Sequence, residues 1–254
     1  MSDIADLLRA GDRIFVAGSS NEPTALLDAL RAAPLPPDLG FIQFPLAGFN
    51  RVDFTGFEPT ARMTTFFMTP DLRQADPARL DFLPMHMRTV FDYVRGHTDV
   101  ALVQVARGAD GTLRAGPNID FLAAALASAR TVIAELNEDL VAPAGSPVID
   151  PARIDLMVTS RRPLYAPAAP VIDAAASAIG AHVAGLIHDG DCIQTGIGGI
   201  PAAILARLED RSDLGMHGGL IDDGGMRLIR NGNITGVRKP IDTGLHVTGM
   251  ALGS

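Results

Sequence analysis

The sequence has a single cysteine and comparatively little positive charge. One cysteine among 254 residues excludes an internal disulfide and fits a reducing compartment. Lys and Arg number 21 against 29 Asp and Glu, so the formal net charge is −8 at pH 7. This balance argues against nucleic acid or an anionic membrane as a partner, although a local site can still bind a small anion.

A basic leader and a long apolar run are also missing. Residues 1–12, MSDIADLLRAGD, have neither the basic nor the apolar region of a signal peptide. The longest apolar candidate, residues 171–187, carries Asp173 and His182, so no clean membrane span is predicted. We therefore expect a cytoplasmic protein without a membrane partner. The hydrophobic content of 47% can supply the core of one large domain or two.

A glycine-rich turn in residues 190–208, GDCIQTGIGGIPAAILARL, is the most informative stretch. A short strand-type run precedes the glycines, and helical spacing of apolar residues follows them. Proline suits the first turn of a helix, and glycine allows backbone geometries closed to other residues. A strand–turn–helix of this kind directs N–H groups at an anion or a developing oxyanion. The turn supplies five candidate site residues: Gly196, Ile197, Gly198, Gly199 and Pro201.

The same pattern occurs once before, 179 residues earlier. Gly11-Asp12 corresponds to Gly190-Asp191, and Gly18 precedes Pro23 by five positions, as Gly196 precedes Pro201. This repeat predicts two tandem α/β units. The second has only 65 residues from Gly190 to the end of the sequence.

Strand and helix patterns alternate along the chain, which is typical of mostly parallel sheets. Three prolines in residues 161–170 mark a boundary, so we predict domains at residues 1–170 and 171–254. The second domain should open with a helix over residues 171–187. Its predicted apolar stripe consists of Ile172, Ala176, Ile179, Val183 and Leu186.

Several ordered motifs point to one family. In the second domain they include Asp189-Gly190, the glycine turn, Asp213-Leu214-Gly215-Met216-His217 and Asp223-Gly224. In the first they include Phe82-Leu83-Pro84-x-His86 and Ile133-Ala134-Glu135-x-Asn137. Together they resemble the acetyl-CoA hydrolase/transferase family, which includes 4-hydroxybutyrate CoA-transferase-like proteins. The resemblance implies an α/β fold of tandem, class I CoA-transferase-like domains with mostly parallel sheets, the second domain being incomplete.

The resemblance also implies a reaction. A glutamate carboxylate attacks the acyl-CoA thioester, and an acyl-glutamyl anhydride and then a glutamyl-CoA thioester follow. The partners are acyl-CoA and a small carboxylic acid, and CoA is transferred between them or the thioester is hydrolysed. Coenzyme A enters as a thioester substrate, and no bound cofactor or metal is expected. The glycine turn would stabilise the oxyanion of the reacting thioester.

The chain departs from the family pattern at the nucleophile. The family has His, a small residue and then Glu, whereas this chain has His217-Gly218-Gly219. Gly219 therefore stands in the nucleophile's position, and the covalent route is closed unless another carboxylate substitutes. We assign no catalytic residue, and we add His217, Gly219 and Glu135 to the expected substrate- and CoA-binding set. Family members also continue well beyond this sequence, in a part that carries much of the CoA-binding surface.

Several alternatives stay open. The glycine turn can be a ligand-free connection or, less simply, a dinucleotide site. Glu135, at the end of a buried strand, fits a structural hydrogen-bonding role as well as a substrate pocket. Asp222 and Asp223 are candidates to replace the lost glutamate, but acidic residues in such a turn are more often solvated or cap a helix. Cys192 is expected to be a buried, inert thiol. At the level of the protein, the alternative to an enzyme is a non-catalytic subunit or remnant. Such a chain would be completed by a separate, complementary chain or would form a homo-oligomer.

Overall fold

The computed structural model describes residues 4–253 and divides into two compact units. The first unit ends at Tyr165 and the second begins at Ala166. Residues 1–3, which belong to the segment expected to lack a signal peptide, and residue 254 lie outside the described part. Within the described part, none of the helices combines the length and apolar character needed to cross a membrane.

The first unit is built on an eight-stranded sheet. Its strands are β1 (Arg13–Val16), β2 (Gly40–Gln43), β3 (Arg62–Thr65), β4 (Leu80–Phe82), β5 (Val100–Arg107), β6 (Leu113–Ala115), β7 (Thr131–Val141) and β8 (Leu156–Ser160). Seven of them run parallel in the order β4-β3-β2-β1-β5-β7-β8, and β6 pairs antiparallel with β5. The helices are α1 (Thr24–Ala32), α2 (Met87–Gly96) and α3 (Leu122–Ser128).

Both faces of this sheet are buried, as its near-continuous apolar strands predict. Successive side chains of a strand point to opposite faces. Phe15 accordingly joins one core cluster, with Val90 of α2, while Ile14 joins the other, with Leu26 and Leu30 of α1. The strand order reverses between β1 and β5, and the loops that follow these strands meet at the carboxyl edge.

The second unit contains a three-stranded parallel sheet in the order β11-β10-β9. Its elements are α4 (Ala174–Ala184), β9 (Cys192–Ile193), α5 (Gly199–Leu205), β10 (Gly215–Gly218), α6 (Asp223–Arg230) and β11 (Val247–Thr248). A small core of Leu205, Leu208, Leu214, Met216 and Leu228 lies beneath these helices. The predicted fold class, α/β with mostly parallel sheets, is confirmed in both units.

The prediction of which residues are buried on α4, the first helix of the second unit, was wrong. Its buried residues are Ala176, Gly180 and Ala184, and these small residues let α4 approach α5 closely. A Cβ at Gly180 would lie 2.8 Å from the backbone carbon of Ala203. The larger apolar residues of the predicted stripe are partly or largely exposed, Leu186 at 73%. The periodicity of the sequence correctly predicted an apolar helix. The close contact between α4 and α5, however, buries the small residues of this helix rather than its large apolar residues.

Cys192 also differs from its prediction. It is exposed on β9 rather than buried, although its strand neighbour Ile193 packs against the core. In a three-stranded sheet with helices packed on one side, alternate residues of β9 face outward.

Candidate functional site

The glycine turn joins β9 to α5 and depends on two of its glycines. Gly198 has φ 124° and ψ −176°, a backbone conformation that L side chains rarely adopt. A Cβ at Gly199 would lie 2.3 Å from the backbone oxygen of Val171. Pro201 occupies the first turn of α5, where no intrahelical acceptor exists for its missing N–H. These constraints leave the exposed Ile197 at the apex of the turn.

Gly219 lies beside this turn. It directly follows β10, the central strand, and the next residue, Leu220, pairs with Thr195 at the start of the turn. The Thr195 hydroxyl donates to the Leu220 carbonyl oxygen at 3.4 Å. A Cβ built on Gly219 meets no atom within 4 Å. The structure therefore brings the predicted turn residues and Gly219 together at the carboxyl edge of the small sheet, with open space where a side chain would stand.

A cavity of about 200 Å³ adjoins the turn. Aliphatic side chains from α4, β9 and α5 supply one part of its wall, and the turn itself supplies the other. The lining residues are Val183, Ile187, Ile193, Gln194, Thr195, Gly196, Pro201 and Ile204. Such a wall suits a short apolar group close to backbone N–H groups.

His217 is on β10, and the structure adds a partner that the sequence did not reveal. Its Nδ1 lies 4.0 Å from Oδ2 of Asp242, which belongs to the loop before β11. Asp242 has φ +48°, a left-handed conformation that Asp tolerates better than most residues. The two residues are far apart in sequence and belong to no common motif, so only the fold could reveal this pair.

Asp222 performs the capping role expected of it. Its carboxylate accepts a hydrogen bond from the Gly225 backbone N–H at 2.9 Å and so caps α6. This contact occupies the carboxylate at a helix N-terminus, where a negative charge is favoured.

Glu135 belongs to the first unit, where it is fully buried within β7, which continues to Val141 rather than ending at this residue as the sequence predicted. Its Oε2 accepts hydrogen bonds from the backbone N–H groups of Ala25 at 2.8 Å and Leu26 at 3.4 Å. Its Oε1 accepts from the Ser160 hydroxyl at 2.6 Å and from Nε of Arg162 at 3.1 Å. Both oxygens are thus engaged by the protein itself, and the carboxylate fills the N-terminus of α1.

Arg162 extends this cluster across the carboxyl edge of the large sheet. Besides Glu135, it donates to the Glu22 backbone oxygen and to the side-chain oxygen of Gln104. Glu22 is itself buried and accepts from Nε2 of Gln43 at 3.0 Å. A cavity near Gln104 has a volume of about 10 Å³, large enough for one water. Polar side chains of the first unit thus occupy the space around Glu135 and Arg162, whereas a larger cavity adjoins the glycine turn of the second unit.

Burial raises the pKa of Glu22, and this shift makes a prediction about stability. A carboxyl with a raised folded pKa stabilises the fold below its unfolded value, 4.5, and loses that contribution as the pH rises through the folded value. Glu22→Gln cannot ionise, so its melting temperature relative to wild type should be higher at pH 8 than at pH 5. The exposed Glu138→Gln is the control. Equal differences for Glu22→Gln at both pH values would contradict the assignment.

No cluster of three or more His, Cys, Asp or Glu side chains in residues 4–253 is arranged to hold a metal ion.

The sequence of this chain is similar to those of several known proteins. A model of the acetyl-CoA hydrolase/transferase N-terminal domain matches residues 1–159. The 4-hydroxybutyrate coenzyme A transferase of Clostridium kluyveri is 30% identical over 249 residues, which cover 95% of this chain and 58% of the relative. A succinyl-CoA:acetate/propanoyl-CoA:succinate CoA transferase of Fasciola hepatica is 28% identical, covering 97% of this chain and 53% of that protein.

Solved structures share the fold. RipA from Yersinia pestis matches with a TM-score of 0.85 at 23% identity, over 98% of this chain and 62% of that chain. A 4-hydroxybutyrate CoA-transferase from Porphyromonas gingivalis matches with a TM-score of 0.71 at 27% identity, over 99% and 61%. The chain thus spans little more than half the length of the proteins that it resembles.

Proposed function

Because the chain belongs to the acetyl-CoA hydrolase/transferase family, we propose that its second unit binds the thioester of an acyl-CoA. The thioester carbonyl would lie at the carboxyl edge of β9, β10 and β11, beside the glycine turn. The acyl group would enter the neighbouring cavity of about 200 Å³. The reaction class is transfer of CoA to a small carboxylic acid, or hydrolysis of the thioester.

One observation carries this proposal: the pairing of Thr195 with Leu220, which places Gly219 against the glycine turn. The predicted binding residues Gly196, Ile197, Gly198, Gly199 and Pro201 then share one edge with His217 and Gly219. Backbone N–H groups in such a turn can stabilise an oxyanion without moving. Glu135 is best assigned to holding the first unit together, since its oxygens are taken up within that unit.

The proposed chemistry does not pass through a covalent enzyme intermediate. Gly219 has no carboxylate, and Asp222 is engaged by the N-terminus of α6. No resident cofactor is required, because CoA arrives with the substrate. We place the reaction in the cytoplasm, which suits a chain with one exposed thiol.

A second candidate is a binding subunit completed by a separate chain or by a second copy. The exposed apolar residues Leu186 (73%) and Ile197 (61%) favour it. On this view the domains are residues 1–170 and 171–254.

One experiment tests the proposed function. The 254-residue chain is incubated with acetyl-CoA, reduced with borohydride and examined by mass spectrometry, while binding of radiolabelled CoA is measured by equilibrium dialysis. We expect saturable CoA binding and no adduct. Gly219→Glu should fold normally, because the space beside Gly219 is open.

The outcomes separate the two candidates. An adduct on Asp222, Asp223 or Glu135 would refute the non-covalent site. CoA binding by a monomer supports a self-sufficient site, whereas binding that requires a dimer or an added chain supports the subunit. No CoA binding in any state refutes the proposed function.

A further inference from the structure

His217 faces the side of the small sheet that Gly219 borders. His217 pairs with Val247 across β10 and β11, so Gly249 lies on the same face, two residues beyond Val247. A Cβ at Gly249 would lie 3.4 Å from the Gly219 backbone oxygen and 4.0 Å from its Cα. Because residue 249 is a glycine, this side of Gly219 stays open.

The open space suits a water molecule. A side chain at position 219 would project into a region that is empty within 4 Å. Residues two apart along a strand are separated by roughly 6–7 Å, which leaves room for a water between an imidazole and a bound carbonyl group. The absence of a side chain at Gly219 therefore provides a place for a nucleophile that comes from solvent.

The His217–Asp242 pair places a carboxylate near one ring nitrogen of a histidine. The Asp242 carboxylate is on the Nδ1 side of the ring, which leaves Nε2 as the nitrogen available to accept a proton. At 4.0 Å the contact is an ion-pair distance, longer than a hydrogen bond. Contacts of this kind commonly tighten when the substrate binds. Asp222, the nearby alternative, already accepts a hydrogen bond from Gly225.

We propose that this chain hydrolyses acyl-CoA directly, with His217 as the general base and Asp242 as its positioning residue. The inference rests on the proposed function, which supplies the bound thioester. His217 removes a proton from water, and the water oxygen forms a bond to the thioester carbon. The C–S bond then breaks, and the CoA thiolate takes the proton from His217. Water and acyl-CoA give one carboxylic acid and one CoA thiol, with no other reactant.

The test measures thiol release from acetyl-CoA and binding of radiolabelled CoA by the same preparations. His217→Gln should lower thiol release by about 100-fold or more, with CoA binding retained. Asp242→Asn keeps the size of the side chain and is compatible with the left-handed backbone conformation of residue 242. This variant should lower kcat about tenfold or more without changing KM. His188→Gln is the matched control, since His188 also lies near an aspartate, at 3.7 Å from Asp191, on the exposed surface.

The results distinguish this inference from the proposed function. Wild-type chain that binds CoA but releases no thiol overturns the hydrolysis proposal and leaves the binding site standing. Equal thiol release by wild type and a folded His217→Gln overturns the role of His217. If His188→Gln loses as much thiol release as His217→Gln, the role of His217 is also overturned. Absence of CoA binding overturns the proposed function and the hydrolysis proposal together.

Discussion

Glu135→Ala should destabilise the protein by roughly 3–5 kcal/mol. The substitution removes the acceptor for the Ser160 hydroxyl, for Arg162 and for two backbone N–H groups of α1. The Arg162 charge would stay in a site from which its carboxylate partner has gone. The free energy of unfolding, measured by urea titration with circular dichroism, gives the effect directly.

Glu138→Ala is the control for this experiment. Glu138 is on the same strand, β7, and pairs with Arg161, the residue before Arg162, at 2.8 Å. This pair is largely exposed, so its loss should cost less than about 1 kcal/mol. Equal losses for the two glutamates would show that Glu135 is not the structural carboxylate described above.

Gly180→Val should destabilise the second unit by roughly 2–3 kcal/mol. Its Cβ would lie 2.8 Å from the backbone carbon and the Cβ of Ala203, and the helix backbone cannot yield as a flexible side chain can. Separation of α4 from α5 would also distort the cavity wall between Val183 and Ile204. Faster hydrogen exchange in peptides covering β10, together with weaker CoA binding, would report both consequences.

Gly185→Val is the matched substitution. Gly185 ends the same helix, and a Cβ there meets its nearest atom, the His182 oxygen, at an ordinary 3.4 Å. We expect a change within about 1 kcal/mol, the range of helix propensity. A Gly180→Val protein as stable as Gly185→Val would contradict the importance of the close α4–α5 contact.

Local patterns predicted the fold class and the main strands well. The apolar run of β5 and the repeated strand–turn–helix around Gly18 and Gly196 follow from short-range spacing, and the structure has strands in both places. The antiparallel β6 was missed because its buried and partly exposed residues alternate over only three positions, too short a run to predict a strand.

What the sequence could not show depends on packing between distant segments. Whether α4 buries its large or its small apolar residues depends on which helix covers it. The exposure of Cys192 depends on which face of a small sheet is covered. Asp242 comes near His217 only because the chain returns to β11 beside β10. The same holds for Glu135, whose partners Ala25 and Arg162 lie far from it in sequence on either side.

The glutamate at the N-terminus of α1 can be regarded as a tethered ligand. Because Glu135 is part of the same folded chain, its effective concentration at the N–H groups of Ala25 and Leu26 far exceeds that of any dissolved carboxylate. Of the two related strand–turn–helix copies, the first therefore has the N-terminus of its helix occupied by a side chain of the same unit.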